Sequence, residues 1–143
     1  MSSNVVLSET KARPHRALHV SLWIVQILLA GALGMAGFMK STMPIPELSQ
    51  KLAWVSGQPN LARFIGICEL AAALGLILPA AFRIMPKLTP LAASGLVAIM
   101  ILAVPFHLER GEAKLIGVPI VLGVLAAFVA WGRLRGISIA ARG

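Results

Sequence analysis

The amino-acid sequence predicts an all-α membrane protein, an antiparallel bundle of four transmembrane helices. The first observation is composition: 58% of the 143 residues are hydrophobic and 13% are charged, whereas a soluble domain carries about 25% charged residues. The second is that the apolar residues are grouped into four long segments. The third is that these segments are almost free of charge, since three contain no Lys, Arg, Asp or Glu and the run 64–82 contains only Glu69.

Each apolar segment is long enough to cross a bilayer as a helix, which takes about 20 residues. The predicted spans are residues 17–39, 61–82, 88–107 and 115–132. Basic stretches at 1–16 and 133–143 flank this single domain as tails. Because the connections after the second and third spans are short, we expect antiparallel hairpins.

The loop after the first span is predicted to contain a short helix at the outer membrane interface. Leu48, Leu52 and Val55 follow helical spacing, and Trp54 lies beside them. Apolar residues at this spacing are typical of a helix lying on a bilayer, and Trp favours that depth.

Charge is distributed unevenly between the two sides of this topology. The side with both termini carries eight of the thirteen basic residues and one acid, Glu9, whereas the other side carries five basic residues and three acids besides Glu69. The positive-inside rule therefore predicts cytoplasmic termini. The net charge of +8 is explained by topology and by contact with lipid headgroups. The bilayer is the expected partner, and nothing favours nucleic-acid binding.

Glu69 is the first candidate functional residue. A carboxylate inside a bilayer costs at least about 2.5 kcal/mol, so such groups normally face protein or a cavity. Gly66, Glu69 and Ala73 lie on one face of the second helix, and small residues mark the faces on which membrane helices pack. We therefore expect Glu69 to face the bundle interior, just below the outer surface.

Lys40 and His107 are the candidate partners of Glu69, because the topology brings the ends of the first and third helices to its level. An ion pair or hydrogen bond with either one would hold three helices in register as a structural contact. The same contact is also compatible with a ligand-binding or proton-linked site. Both interpretations stay open at this point.

Three further polar residues are secondary candidates. Glu69, Lys40 and His107 are called the outer cluster, and Arg63 and Arg110 lie in turns next to it. Gln26 lies near mid-membrane on the small-residue face of the first helix. Gln26 is interpreted as an interhelical hydrogen-bonding residue rather than a ligand.

The outer cluster fits some cofactors better than others. A zinc or iron site needs three or four ligands, and this cluster offers at most two or three, so no metal is predicted. A quinone needs only one or two hydrogen-bonding groups beside an apolar slot. Quinone is therefore the candidate cofactor.

Several sequence blocks resemble the DoxX and DoxX-like family of small four-helix membrane proteins. They are Arg-Phe-Ile-Gly-Ile-Cys-Glu-Leu at 63–70, Ala-Leu-Gly-Leu-Ile-Leu-Pro at 73–79, Leu-Ala-Ala-Ser-Gly-Leu at 91–96, Phe-His-Leu-Glu-Arg-Gly-Glu at 106–112 and Gly-Phe-Met-Lys at 37–40. The resemblance covers about residues 18–132. It implies a protein of the bacterial inner membrane, with some relatives linked to quinone-coupled sulfur oxidation or oxidative-stress assemblies, and it marks Lys40, Glu69 and His107 as family-motif positions.

Three functions are compatible with these observations. The favoured hypothesis is a small subunit or accessory of a quinone-linked redox or oxidative-stress membrane complex, with membrane or redox proteins, or further copies of itself, as partners. The alternatives are a proton-coupled small-molecule transporter and a structural assembly factor without its own activity. We expect no catalytic activity from the chain on its own.

Overall fold

A computed structural model of the chain describes residues 2–143, with side chains described for 15–135 and 137–143. The described residues form helices joined by short connections, and they contain no strand. The helices are α1 (Ser2–Thr42), α2 (Ile45–Lys51), α3 (Pro59–Phe82), α4 (Leu88–Glu109) and α5 (Gly117–Trp131). Short 3₁₀ turns lie at Ala53–Ser56 and Ala113–Leu115, and a π-helical turn, Gly132–Gly136, follows α5.

Four of these helices are long and apolar enough to cross a membrane, which confirms the predicted bundle. The candidate spans are His15–Thr42, Pro59–Phe82, Leu88–Glu109 and Ala113–Arg135. The predicted span limits differ from these by a few residues at most ends. The main difference is that α1 begins at Ser2 and so extends into the stretch predicted as a tail.

The four long helices are arranged in a ring. α1 packs chiefly against α3, α4 packs against both α3 and α5, and α5 closes the ring on α1. Successive long helices run in opposite directions, so the bundle has two ends. The loop end holds the C-termini of α1 and α4, and the terminal end holds the turn between α3 and α4 and the C-terminal segment.

Prolines and a left-handed residue set the helix limits. Pro59 is in the first turn of α3, where its missing N–H breaks no helical hydrogen bond. α3 ends at Phe82, because the next residue, Arg83, has a left-handed φ of 58°, a common way for a helix to terminate. Pro79 and Pro105 lie inside α3 and α4 without ending them.

The bundle centre is an apolar core. Leu29 and Leu33 of α1, Leu76 of α3 and Leu96 of α4 are each at most 1% exposed. Val129 closes the same cluster from α5. Burial of side chains of this kind gives the close contacts on which helix association in membranes depends.

The predicted short helix exists, but its apolar residues pack onto the bundle. α2 ends at Lys51 because Leu52 is extended, with φ −129° and ψ 91°, so Val55 lies on a separate 3₁₀ turn. Leu48 and Val55 are fully buried, and Trp54 is 5% exposed. Residues 44–58 form a cap over the loop end. Trp54 packs into this cap, edge-on to Phe106 of α4, rather than facing lipid headgroups.

Candidate functional site

The candidate site lies at the loop end, where α1 and α3 meet. Lys40 Nζ donates a hydrogen bond to Glu69 Oε1 at 2.6 Å, and the two side chains form a largely buried ion pair. Glu69 is 5% exposed, which confirms the prediction that it faces the interior. Of the two predicted partners, Lys40 is the one that contacts it.

Two glycines bring the backbones close enough for this pair to form. A Cβ on Gly37 would lie 2.7 Å from the carbonyl oxygen of Gly66, and a Cβ on Gly66 would lie 2.7 Å from Lys40 Cβ. Real Cβ atoms do not approach other atoms so closely. The absence of both side chains therefore fixes the position of Lys40 one turn above Glu69.

Arg63 completes the same junction by binding the end of α1. Its guanidinium donates to the carbonyl oxygens of Lys40 at 2.6 Å and Met43 at 2.7 Å. These carbonyls have no partners within the helix, and a cation beside them is favoured by the helix dipole. Arg63 thus reaches the Lys40 backbone, while Lys40 itself holds Glu69.

Two buried oxygen atoms at this junction lack a hydrogen-bond partner among the described residues. They are Glu69 Oε2 and Ser41 Oγ. Ser41 Oγ lies beside Gly66, 2.8 Å from the position of a Cβ there, and Gly66 is one turn from Glu69. A buried polar atom without a partner costs about 1–3 kcal/mol. The site therefore offers an acceptor and a hydroxyl that a further group could bind.

His107 and Arg110 belong to a different cluster. His107 Nδ1 donates to Glu112 Oε2 at 2.7 Å, and Arg110 Nε lies 3.5 Å from Glu112 Oε1. The expected contact between His107 and Glu69 is therefore replaced by one within the turn after α4. Glu112 is only five residues away and reaches the imidazole locally.

The pKa of Glu112 is lowered from its ordinary value of 4.5, chiefly by the hydrogen bond from His107 and further by the charge of Arg110, against the opposing effect of desolvation. The turn between α4 and α5 is therefore held by an ionised carboxylate at neutral pH.

Gln26 bridges helices as predicted, but within a polar cluster that the sequence did not reveal. Gln26 Nε2 donates to the Leu76 carbonyl oxygen at 2.6 Å, and Arg133 Nε donates to Gln26 Oε1 at 2.7 Å. Arg133 Nη1 lies 3.3 Å from His19 Nδ1. The guanidinium also lies 5.6 Å from the centre of the Trp23 ring.

Arg133 is 3% exposed, although its sequence position is typical of a headgroup anchor. Its burial follows from Gly132, where a Cβ would collide with the Leu22 side chain. The close approach of α5 to α1 at this point carries Arg133 inward. The signal available in the sequence was the spacing of His19, Trp23 and Gln26, which places three side chains with polar atoms on one face of α1.

A cleft of about 370 Å³ opens beside this cluster at the terminal end. It is lined by His19, Trp23, Ala80, Ala81, Arg83, Ser138, Ile139 and Ala140. The C-terminal segment forms one wall, because Arg83 Nε donates to the Ala140 carbonyl and the Arg142 amide donates to the Arg83 carbonyl.

Within residues 15–135 and 137–143, no three His, Cys, Asp or Glu side chains are grouped so as to hold a metal ion. The polar chemistry of the described chain is thus divided into three places: the Lys40–Glu69 junction, the Glu112 turn and the Arg133 cluster.

A model of the DoxX-like family matches residues 24–129, a range that includes Lys40, Glu69 and His107. No curated protein and no solved structure matches the chain.

Proposed function

Since this chain belongs to the DoxX-like family, we propose that it is a small subunit or accessory of a quinone-linked redox or oxidative-stress membrane complex, with the quinone headgroup bound beside Glu69. The proposal includes a bacterial inner membrane and cytoplasmic termini, supported by the excess of basic residues at the terminal end. The chain's part is to hold the headgroup. Electrons pass to or from the quinone through a redox partner protein.

The observation that carries this proposal is the incomplete hydrogen bonding of the Lys40–Glu69 junction. Glu69 Oε2 can accept the O–H of a quinol, and Ser41 Oγ can donate to a quinone carbonyl; both atoms are buried without a partner. Each unsatisfied atom costs about 1–3 kcal/mol. A quinol, whose hydroxyl groups donate and accept, can satisfy both atoms, whereas the oxidised quinone can satisfy only Ser41 Oγ.

The surroundings of the junction suit the long apolar tail of a membrane quinone. Phe38 of α1 and Phe64 and Ile67 of α3 flank the junction, and each is more than 60% exposed on the bundle surface. In a bilayer these side chains face lipid, so a tail can lie along them. The headgroup then enters from the membrane and not from water.

The transporter hypothesis is less well supported by the packing. A transported molecule needs a route from Glu69 to the terminal end, and the bundle centre on that side is filled by leucines that are at most 1% exposed. The structural hypothesis differs in one respect: it predicts that Glu69 contributes stability without binding a ligand.

Quinone retention tests the proposal. The chain is purified in mild detergent from native membranes, and extracted quinone is quantified for the wild type, Glu69→Gln, Ser41→Ala and a control, Glu47→Gln, whose side chain is exposed on α2. We expect quinone in the wild type and the control, and about tenfold less in Glu69→Gln, as for the loss of a hydrogen bond to a charged group.

Ser41→Ala keeps the Lys40–Glu69 pair and should also lower retention, which separates binding from folding. A wild-type protein free of quinone, or equal retention by all four proteins, would reject the proposal. Loss of thermal stability alone in Glu69→Gln would support the structural hypothesis.

A further inference from the structure

The buried guanidinium of Arg133 has no anionic partner among the described residues. Its contacts are the Gln26 oxygen, the His19 ring nitrogen, the Ile137 carbonyl at 3.5 Å and the face of Trp23. All four groups are neutral when His19 accepts the hydrogen bond, and Nη2 has no partner within residues 15–135 and 137–143. A buried charge without a counter-charge is costly, so this cluster favours the approach of an anion.

The distribution of acids makes an internal counter-charge scarce at this end. Glu47, Glu69, Glu109 and Glu112 all belong to the loop end, and Glu9 is the single acid in the sequence on the terminal side. Basic residues accumulate there instead, at Arg16, Arg83, Lys87, Arg133, Arg135 and Arg142. The terminal end therefore carries an excess of positive charge, which surrounds the buried Arg133.

The cleft beside Arg133 is accessible to such an anion. His19 and Trp23, which contact Arg133, also line the cleft, and so does Arg83. Its volume of about 370 Å³ falls within the range of about 300–1,000 Å³ for small-ligand sites. A group bound there contacts the exposed Arg83 guanidinium. The positive charge of Arg133 lies next to the cleft, in contact with His19 and Trp23.

Exposed apolar residues adjoin the cleft-lining residues in the sequence, as expected for a ligand that carries acyl chains. Ile84 and Met85 follow Arg83 and are 63% and 66% exposed; the left-handed φ values of Arg83 and Met85 shape the turn that presents them. Val20, next to His19 on α1, is 51% exposed. The cleft also lies where the candidate span of α3 ends, which is the level at which a spanning helix meets the lipid headgroups.

We propose that this cleft binds the phosphate of an anionic phospholipid headgroup, with Arg83 and His19 in contact with it and Arg133 supplying buried positive charge. The acyl chains lie against exposed apolar side chains nearby, such as Ile84 and Met85. A free phosphate shares the headgroup chemistry but gains nothing from the exposed side chains around the cleft.

Lipid retention measured by native mass spectrometry tests this proposal. The full chain is given phosphatidylglycerol or phosphatidylcholine with identical acyl chains, and the lipid that stays bound on activation is counted. We expect about tenfold more phosphatidylglycerol retained, the value of one hydrogen bond to a charged group. Arg83→Gln should abolish this preference.

Matched controls separate the cleft from general surface charge. Arg135→Gln removes the same charge from an exposed position outside the cleft and should change retention less than twofold. Ala81→Phe fills the cleft without a charge change and should lower retention, whereas Ala71→Phe, exposed elsewhere on α3, should not.

Three results would overturn the proposal. The wild type could show no preference for the anionic lipid. Arg135→Gln could lower retention as much as Arg83→Gln, which would indicate diffuse attraction. Excess inorganic phosphate could displace the lipid completely, which would indicate a site for free anions. Persistence of bound phosphatidylglycerol in phosphate supports the lipid site.

Discussion

Lys40 and Glu69 are joined by one hydrogen bond, from Lys40 Nζ to Glu69 Oε1 at 2.6 Å, and the second oxygen of the carboxylate has no partner among the described residues. The pair ties α1 to α3 at the loop end, and its free oxygen is buried. The structural role of the pair and the proposed ligand contact therefore need separate measurements.

Breaking the Lys40–Glu69 pair from either side should be destabilising. Lys40→Met leaves the buried Glu69 carboxylate unpaired, at a cost of about 3–5 kcal/mol. Glu69→Leu leaves the partly exposed Lys40 ammonium unpaired and should cost less, because a lysine can extend its charged end toward water. The double variant removes both charges and should cost much less than the sum. Reversible unfolding in mixed micelles gives the three free energies, and additive single and double effects would contradict a direct interaction.

The close approach of α1 to α3 should make Gly37 intolerant of a side chain. Gly37→Ala places a methyl group 2.7 Å from the Gly66 carbonyl oxygen, and overpacking of this kind costs about 1–3 kcal/mol. The control is Gly31→Ala on the same helix, where a Cβ has nothing within 4 Å. Its effect should be neutral or stabilising, because Ala favours helix over Gly by about 1 kcal/mol. Equal effects of both changes on thermal stability would contradict the close approach.

The bundle was predictable because its signals are local. Four uncharged apolar segments give four helices, and the small residues around Glu69 turn that side chain inward. The choice between Lys40 and His107 was not predictable, because it depends on a competitor in a neighbouring turn. Glu112 lies five residues from His107 and forms the hydrogen bond with its imidazole. Among the described hydrogen bonds, the carboxylate that Lys40 binds is that of Glu69.

The Arg133 cluster is a second feature that could not be predicted from the sequence. An arginine just after an apolar segment normally reaches the headgroups, and only the contact of Gly132 with Leu22 draws this one inward. Contacts between residues more than 100 positions apart, such as Arg133 with Gln26, depend on how α5 sits against α1. Periodicity within either helix does not contain that information.

Trp54 should hold the cap over the loop end. Its ring meets Phe106 edge-on at 5.5 Å between centroids, and Trp54→Ala should cost about 3–5 kcal/mol, as for other buried aromatic residues. Hydrogen exchange across residues 44–58 should then accelerate. Trp131→Ala is the control, since Trp131 is 53% exposed and its loss should leave exchange in the cap unchanged. Unaltered exchange in Trp54→Ala would show that the cap is held by other contacts.

The turn between α4 and α5 should weaken in acid through Glu112. Because the folded-state pKa of Glu112 is lowered from 4.5, chiefly by the hydrogen bond from His107, the stabilisation is fully present above pH 4.5. It is lost as the pH falls through the lower, folded-state pKa and the carboxylate is protonated. Carboxyl carbon NMR of Glu112 in micelles should therefore show a titration midpoint below 4.5.

Removal of the imidazole tests the cause of this shift. In His107→Gln the carboxylate loses its strongest hydrogen bond, so the Glu112 midpoint should rise toward 4.5, and Arg110 alone should keep it slightly lower. His15→Gln, at an exposed position at the terminal end, should leave the midpoint where it is. An unchanged Glu112 midpoint in His107→Gln would contradict the hydrogen bond between His107 and Glu112. It would favour the alternative in which His107 contacts Glu69.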